Sequence, residues 1–484
     1  MNVMKERLKS ALLVALVISS LVLTQINLFD GIMISEGSSA EVDVSSTQLS
    51  DYINPQSFFI SFGGLSYTRV YDFEMQDSIW SETRPFILSC FLNHNRIDEI
   101  NRESYIEAFS DRSLLIRMPL SLSIGQFYSL FSEEALSDDI KDIDVFEYLI
   151  REDEQKTLYI YDQTNEKYYK VNHSTATHDV GALVDGVLET DWIVYRKLSD
   201  RFSLSSTVDE SYNQLNYELV PYRYDFSVDS ILVDHEVHLD EARFNEDVEA
   251  ISNAVFGNRL DFVKRLQDVN ESIILMYGYG DKSLTVTPEG LISYRKKFDA
   301  TRAEAFGFKE SFALAVGKIE QFGIMPEGLF LEKFSYRQDE KSYTFFFNYR
   351  INSFAIAEMA SEDYPITVVV KENQVVSVDK DVKRYVDVTE DTPYKNSETL
   401  FTIDDCITNN FLEVSVYYLQ DNNLYDQKTD PMEFFFPIRS EIESVDLRYY
   451  GETADYMIPV WQVVIDGRTY IFNAYDGKLI KTYR

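Results

Sequence analysis

An apolar run near the N-terminus, charged only at Lys9, limits what this chain can be. Leu8 to Phe29 spans 22 residues, and after Lys9 no charge occurs until Asp30. As an α-helix such a run is about 33 Å long, enough to cross a hydrocarbon core of roughly 30 Å. Lys5, Arg7 and Lys9 crowd its start and the first acid follows its end, so the positive-inside rule predicts a cytoplasmic residue 1–7 tail, a transmembrane helix over 8–29, and everything after it outside the cell membrane. The competing form is a cleaved signal peptide. Ala11 to Leu23 has the length of a signal core, and Ser38-Ser39-Ala40 offers small residues for cleavage. That site lies well beyond the apolar core, with Asn27 and Asp30 between, so a retained anchor is the expectation. No cysteine directly follows the run to carry a lipid.

Within this helix Ala11, Ala15 and Ser19 recur every four residues and share one face, a pattern that lets two helices approach closely in lipid. Ser20, Thr24 and Asn27 form a neighbouring polar stripe able to hydrogen-bond to another helix. These six residues are the candidate site that the sequence itself supplies.

Composition bounds the rest. At 484 residues the chain has room for roughly three domains, and 45% hydrophobic with 14% aromatic residues is ample for packed cores. The formal charge is -36, and since Lys5, Glu6, Arg7 and Lys9 contribute +2, the portion from Asp30 onward carries -38. A surface of that sign repels phosphate, which excludes nucleic acid as a partner. Cys90 and Cys406 are too few for a disulfide framework; a pairing of the two across the region after the anchor is open, and the favoured reading is two buried, unpaired thiols.

The polar, serine-rich stretch at residues 30–50 reads as a linker. Residues 51–300 mix helix candidates, Glu103 to Phe109 and Ile124 to Phe131, with strand-like runs at Leu158 to Tyr161 and Lys167 to Val171 joined by a turn at Asp162 to Glu166. Residues 255–294 read as a helical segment, a strand at Ser272 to Tyr277, a turn at Gly278 to Gly280, and two strands hinged on Pro288-Glu289-Gly290. Two further α+β units, 301–386 and 387–484, are expected. The first has a helix ending near Gly323, with Phe306, Ala313, Val316 and Ile319 at helical spacing, then strands at Leu329–Tyr336, Ser342–Tyr349, Pro365–Val370 and Val375–Val378. The second runs through Phe401–Asn409, Phe411–Tyr418, Met432–Pro437 and Val445–Tyr449. It closes with Val460–Ile465, Thr469–Asn473 and Leu479–Thr482, hinged on Asp466-Gly467 and Asp476-Gly477. The fold class is therefore α+β with antiparallel sheets.

Enzymatic signatures are missing from this pattern. Tyr277-Gly278-Tyr279-Gly280-Asp281 lacks the lysine and spacing of a phosphate loop. Asp234-His235-Glu236-Val237-His238 places its histidines three apart, which in a strand puts them on opposite faces. No serine has a nucleophile-elbow context, and neither cysteine has a histidine beside it in sequence. No catalytic residue, metal or cofactor is expected.

The closing hairpins from Pro459 to Tyr483 resemble those of PepSY-type domains. With the basic-flanked helix, the segment from Ile273 to Tyr294 carrying Gly278, Pro288 and Gly290, and the Pro459-Val460-Trp461 strand, the whole chain resembles the YycH family. That resemblance implies a non-enzymatic, membrane-anchored regulator of the WalK (YycG) sensor histidine kinase, a two-component system governing cell-wall metabolism. It also implies an exterior complex with a YycI-like accessory protein, and contact with the kinase through the transmembrane helix. Two other readings compete: an anchored protease inhibitor or chaperone, since PepSY-type modules occur in protease propeptides, and a cell-wall-binding module using some of the 33 Tyr and 33 Phe.

Overall fold

Strand alternation and turn chemistry place the antiparallel elements, and the computed structural model shows how they join. It describes residues 49–201, 217–222, 227–237, 241–257, 262–299, 306–323, 325–357, 364–386, 399–426, 430–453 and 455–484. The apolar run at 8–29, with Ala11, Ala15, Ser19, Ser20, Thr24 and Asn27, lies outside them, as does most of the 30–50 linker. Among the described residues no helix is long and apolar enough to cross a membrane.

The first sheet uses β1 (Ser57–Phe62), β2 (Tyr67–Arg69), β3 (His94–Ile100), β4 (Arg112–Ser123), β5 (Asp144–Arg151), β6 (Thr157–Asp162), β7 (Lys167–His173), β8 (Tyr195–Lys197) and β9 (Leu219–Pro221). Its order is β3-β7-β6-β5-β4-β1-β2-β8-β9. The helices α1 (Phe73–Leu92), α2 (Arg102–Ser110) and α3 (Ile124–Ser129) begin where an acceptor side chain satisfies an otherwise unpaired N–H. Asp72, Asn101 and Ser123 do this for Met75, Ser104 and Gln126, and Gln126 returns a bond to the Ser123 backbone, closing a capping box. The Asp162 to Glu166 turn, the α2 and α3 helices and the β6 and β7 strands match the sequence reading.

Later strands divide between two more sheets. In chain order they are β10 (Ile231–His235), β11 (Val263–Gln267), β12 (Ile273–Tyr277), β13 (Lys282–Val286), β14 (Ile292–Lys296), β15 (Phe330–Arg337) and β16 (Ser342–Asn348). The short pair β17 (Arg350–Ile351) and β18 (Phe354–Ala355) follows, then β19 (Ile366–Lys371), β20 (Gln374–Lys380) and β21 (Lys383–Val386). The second sheet runs β11-β12-β13-β14-β20-β19-β16-β15, so its hydrogen bonds join residues on both sides of position 300 through β14 and β20. Val263 to Gln267, expected within a helical segment, is a strand, because the β12 edge beside it supplies a full antiparallel ladder to an otherwise helix-compatible run.

α7 covers one face of this second sheet; α4 (Val180–Leu188), α5 (Leu198–Arg201), α6 (Glu241–Phe256) and α7 (Phe308–Glu320) follow α3 along the chain. β19 buries Ile366, Val368 and Val370 in strict alternation. Against it α7 sets Phe308, Phe312, Ala315, Val316 and Ile319, with Phe312 5.5 Å from Phe345 and 5.9 Å from Phe347 between ring centroids. Phe306 and Ala313, read as part of this stripe, are exposed and half-buried: Phe306 precedes the helix and Ala313 is rotated off its core face. The helix ends at Gln321, and Gly323 follows with φ +116° rather than forming the cap itself.

The third sheet adds β22 (Ile442–Thr453), β23 (Tyr456–Ile465), β24 (Arg468–Asn473) and β25 (Leu479–Tyr483) to β10 and β21. Ahead of them α8 (Ile403–Asn409), α9 (Phe411–Asp421) and α10 (Phe435–Ser440) pack through Phe411–Phe435 and Tyr418–Phe434 contacts. β23 is buried along nearly its whole length, as a strand covered on both faces must be. It tolerates Pro459 because β10 pairs with it only at Tyr456–Met457 and β24 only from Val460 onward, so the missing N–H removes no ladder bond on that side. Asp466-Gly467 turns with φ 48° and 69°, the left-handed pair that a two-residue hairpin requires.

Residues Ser46–Arg484 form one compact unit. Cys90 and Cys406 are buried free thiols whose pKa burial pushes up to about 12.

Phe312→Ala removes a ring held between Phe308, Phe345 and Phe347, and is expected to destabilise this unit by about 3–5 kcal/mol, whereas Phe306→Ala should shift it by less than ~0.5 kcal/mol. Urea unfolding of both variants followed by tryptophan fluorescence measures the contrast, and equal losses would contradict the assigned core face.

Candidate functional site: a charged junction of three sheets

Apolar strand faces meet where the three sheets converge, yet the side chains there are charged. Arg117 stands on β4 directly opposite Glu147 on β5. Its Nε donates to Glu147 Oε1 at 2.9 Å, and its Nη1 lies 2.8 Å from Glu218 Oε2, just ahead of β9. Tyr105 and Tyr217 hydroxyls donate to Glu147 Oε2 at 3.1 and 2.9 Å. From the third sheet, Val445 N–H reaches Glu218 Oε1 at 3.4 Å. Next along β22, Asp446 accepts from Arg69 at 2.8 Å and from Gln56 at 2.6 Å. Arg448 pairs with Glu332 of β15 at 2.7 Å, and Glu332 also accepts from Asn348 at 2.6 Å. Arg350 completes the group, donating to the Pro55 carbonyl at 2.7 Å with its guanidinium 4.3 Å from the Phe330 ring centroid.

Four arginines, Arg69, Arg117, Arg350 and Arg448, thus face four carboxylates, Glu147, Glu218, Glu332 and Asp446, and the cluster is formally neutral. Neutrality is what permits it. An isolated charge in a protein interior costs several kcal/mol, and each of these has an opposite partner or a backbone acceptor. Burial works against the Arg117 charge, but Glu218 and Glu147 outweigh it and hold the guanidinium above its ordinary pKa. Burial likewise opposes ionisation of Asp446, which Arg69 and Arg448 reverse. Glu218 is the exception: burial, with the nearby Asp446 and Glu147 charges adding to it, raises it from 4.5 to about 7 although Arg117 is beside it.

Beside the network lies an open cleft of about 770 Å³ with walls from all three sheets. Arg117, Phe146, Tyr161 and Tyr168 come from the first, Glu332, Lys333 and Phe334 from the second, and Glu441 to Ser444, Asp446 and Gln462 from the third. Beyond Arg102, Tyr161, Glu166 and Tyr168 it continues into a smaller pocket of about 390 Å³. Tyr161 and Tyr168 stack there, 4.7 Å between centroids and 13° apart in plane.

The sequence singled out none of these residues. Each charge is one among 81 acids and 45 bases. A weak signal was present: Arg117, Glu147 and Arg448 interrupt apolar runs (LLIRMPL, VFEYLI, VDLRYY) at positions that alternation assigns to strands. The residues that attracted notice have structural roles. His235 is buried on β10 beneath Gly290, where an added Cβ would lie 2.7 Å from the ring Nδ1 and where φ is +88°, so both the contact and the turn select glycine. Glu236 is committed to the fully buried Lys380 at 2.7 Å, and His238 lies outside the described residues. Gly278 to Gly280 is a 3-10 turn carrying the exposed Tyr279.

No family model matches the chain, and no curated protein does. Among solved structures it is similar to YycH from Bacillus subtilis, with a TM-score of 0.51 and 13% identity, over 87% of this chain and 96% of that one. The chain has a YycH-like fold. An uncharacterized protein from Eubacterium rectale overlaps it more loosely, with a TM-score of 0.33 and 12% identity over 52% of this chain and 86% of that one. Helices with antiparallel sheets, anticipated as α+β, agree with the YycH-like fold; the comparisons do not extend to the PepSY-like modules.

Two changes test the junction. Arg117→Met leaves Glu147 and Glu218 uncompensated and is expected to cost about 3–5 kcal/mol of stability. Glu218 has a folded pKa above its unfolded one, so between about pH 4.5 and 7 the folded chain binds the extra proton, and stability falls as pH rises through that window before levelling off. Glu218→Gln should remove up to about 3 kcal/mol of that decline. Urea midpoints of both chains at about pH 5 and pH 8 check it; identical pH dependence would place the titration elsewhere.

Proposed function

We propose that this protein is a membrane-anchored, non-enzymatic regulator of a sensor histidine kinase in a two-component system controlling cell-wall metabolism. In this reading residues 1–7 are cytoplasmic and helix 8–29 spans the membrane, with the 30–50 linker leading to an exterior region. The 301–386 and 387–484 stretches contribute PepSY-like units. The helix face of Ala11, Ala15 and Ser19, flanked by Ser20, Thr24 and Asn27, meets the WalK-like kinase within the bilayer, and the exterior unit assembles with a YycI-like protein. One observation carries the reading: a fold like that of YycH along nearly the full length of both chains, joined to a basic-flanked apolar run ahead of the folded unit.

Such a regulator needs no bond-making chemistry. A helix that packs better against one kinase state than another shifts their populations by the difference in affinity, and about 1.4 kcal/mol gives a tenfold change. The close approach allowed by small residues supplies an energy of that order, because dispersion falls steeply with a gap of even half an ångström.

Purification of the tagged full-length chain from membranes is expected to recover a histidine kinase and a YycI-like protein, and deletion of residues 1–30 should lose the kinase. Recovery of neither by the full-length chain overturns the proposal. Substituting Leu at Ala11, Ala15 and Ser19 together should weaken kinase recovery about tenfold or more; unchanged recovery would move the contact to another face.

A further inference from the structure

The cleft at the junction also holds polar groups that the ion network does not use. Arg102, the first residue of α2, is half-buried and lines both the main cleft and its extension. Its buried Nε has no hydrogen-bond partner, and among the described residues no carboxylate stands within ion-pair distance of its guanidinium. Its planar fork of donors fits a carboxylate with two parallel bonds.

The lining also offers the opposite charge. Glu441, just ahead of β22, and Glu443 on it are exposed and line the same cleft. Glu443 accepts from the Gly467 N–H at 2.9 Å, and neither carboxylate pairs with a lysine or arginine among the described residues. Gln462 lines the same cleft from β23. It is 6% exposed, and its Oε1 has no partner. A buried acceptor left unsatisfied costs about 1–3 kcal/mol. Ser121, on the part of β4 that has parted from β5, contributes a second unpartnered oxygen to the same lining.

We propose that this cleft binds a short peptide bearing a free carboxylate and a cationic amine, the carboxylate on Arg102, the amine against Glu441 and Glu443, and a peptide N–H donated to Gln462 Oε1. An anion receptor and a cation receptor in one cleft select a zwitterion, and the unpartnered amide oxygen in the same lining selects a ligand with an N–H to give. A volume of about 770 Å³ suits several linked residues better than one amino acid, since whole small-molecule ligands occupy sites of roughly 300–1,000 Å³. A neutral glycan would use the tyrosines and leave both charged ends unanswered.

Isothermal titration calorimetry on the full-length chain in detergent micelles decides the matter, with tetra-alanine, its C-terminal amide and its N-acetyl derivative as probes. The zwitterion is expected to bind, and each blocked form to bind about tenfold or more weakly. Arg102→Gln breaks no ion pair, so its thermal midpoint should match the parent, while its affinity for tetra-alanine falls to that for the amide. Gln462→Leu should weaken all three peptides together without loss of stability. Because the three peptides are compared on the unaltered chain, the result stands even where a variant folds poorly. Equal binding of all three, no heat at about 5 mM peptide, or heat only from an N-acetylglucosamine tetramer, which would mark a glycan cleft, overturns the proposal.

Discussion

The pairing of Arg117 with two carboxylates, one on the neighbouring strand and one just ahead of β9, is the constraint on which the folded unit turns. Glu147 belongs to the same ladder, but Glu218 lies beyond it and also receives Val445 N–H from the third sheet, so one guanidinium ties two sheets through a shared acid. Arg69 and Arg448 repeat the device. The first reaches Asp446 from β2, and the second carries β22 to Glu332 on β15. Hydrophobic burial is indifferent to direction, and apolar sheet faces slide against one another at little cost. Charge pairs at 2.7 to 3.0 Å do not slide, because moving one strand by a residue strands several buried charges at once.

That arrangement explains which parts of the fold were legible in the sequence. Hairpins were, because Asp466-Gly467 and the Pro288-Glu289-Gly290 turn specify backbone conformations that few other residues adopt. α2 and α3 were legible for a similar reason: their apolar spacing and their acceptor caps are local. Sheet membership was not. β10 and β21 carry no mark distinguishing a third-sheet strand from its neighbours, and β14 joins β20 across more than 80 intervening residues, a pairing decided by long-range packing. The α6 to β12 stretch went astray by the same route, since Val263 to Gln267 has helix-compatible residues and becomes a strand only because an edge was available.

The junction residues were hidden for a more basic reason. In a chain carrying -36, an acid in the sequence reads as surface, and the sequence does not distinguish Glu147, 1% exposed, from its many solvated counterparts. What separates them is the partner, and each partner is remote: Arg117 is 30 residues from Glu147 and 101 from Glu218. An apolar strand interrupted by a single charge is the one local trace, and it names a residue without naming its mate.

The proposed regulatory role would draw on the position of this junction. A folded unit acting on a membrane helix, as proposed, needs parts whose relative placement differs between states, and packed interfaces switch between discrete arrangements instead of deforming smoothly. The three-sheet junction is such an interface, held by directional bonds and not by sliding apolar contact. The cleft beside it takes a wall from each sheet, so anything that fills it gains contact only while all three keep their places. The free energy gained in the cleft is then the free energy by which that arrangement is favoured, up to the difference in affinity between arrangements and no further. Glu218 adds a proton to the same balance, because its carboxyl, raised to about 7, changes charge at one of the points where the first and third sheets share a bond.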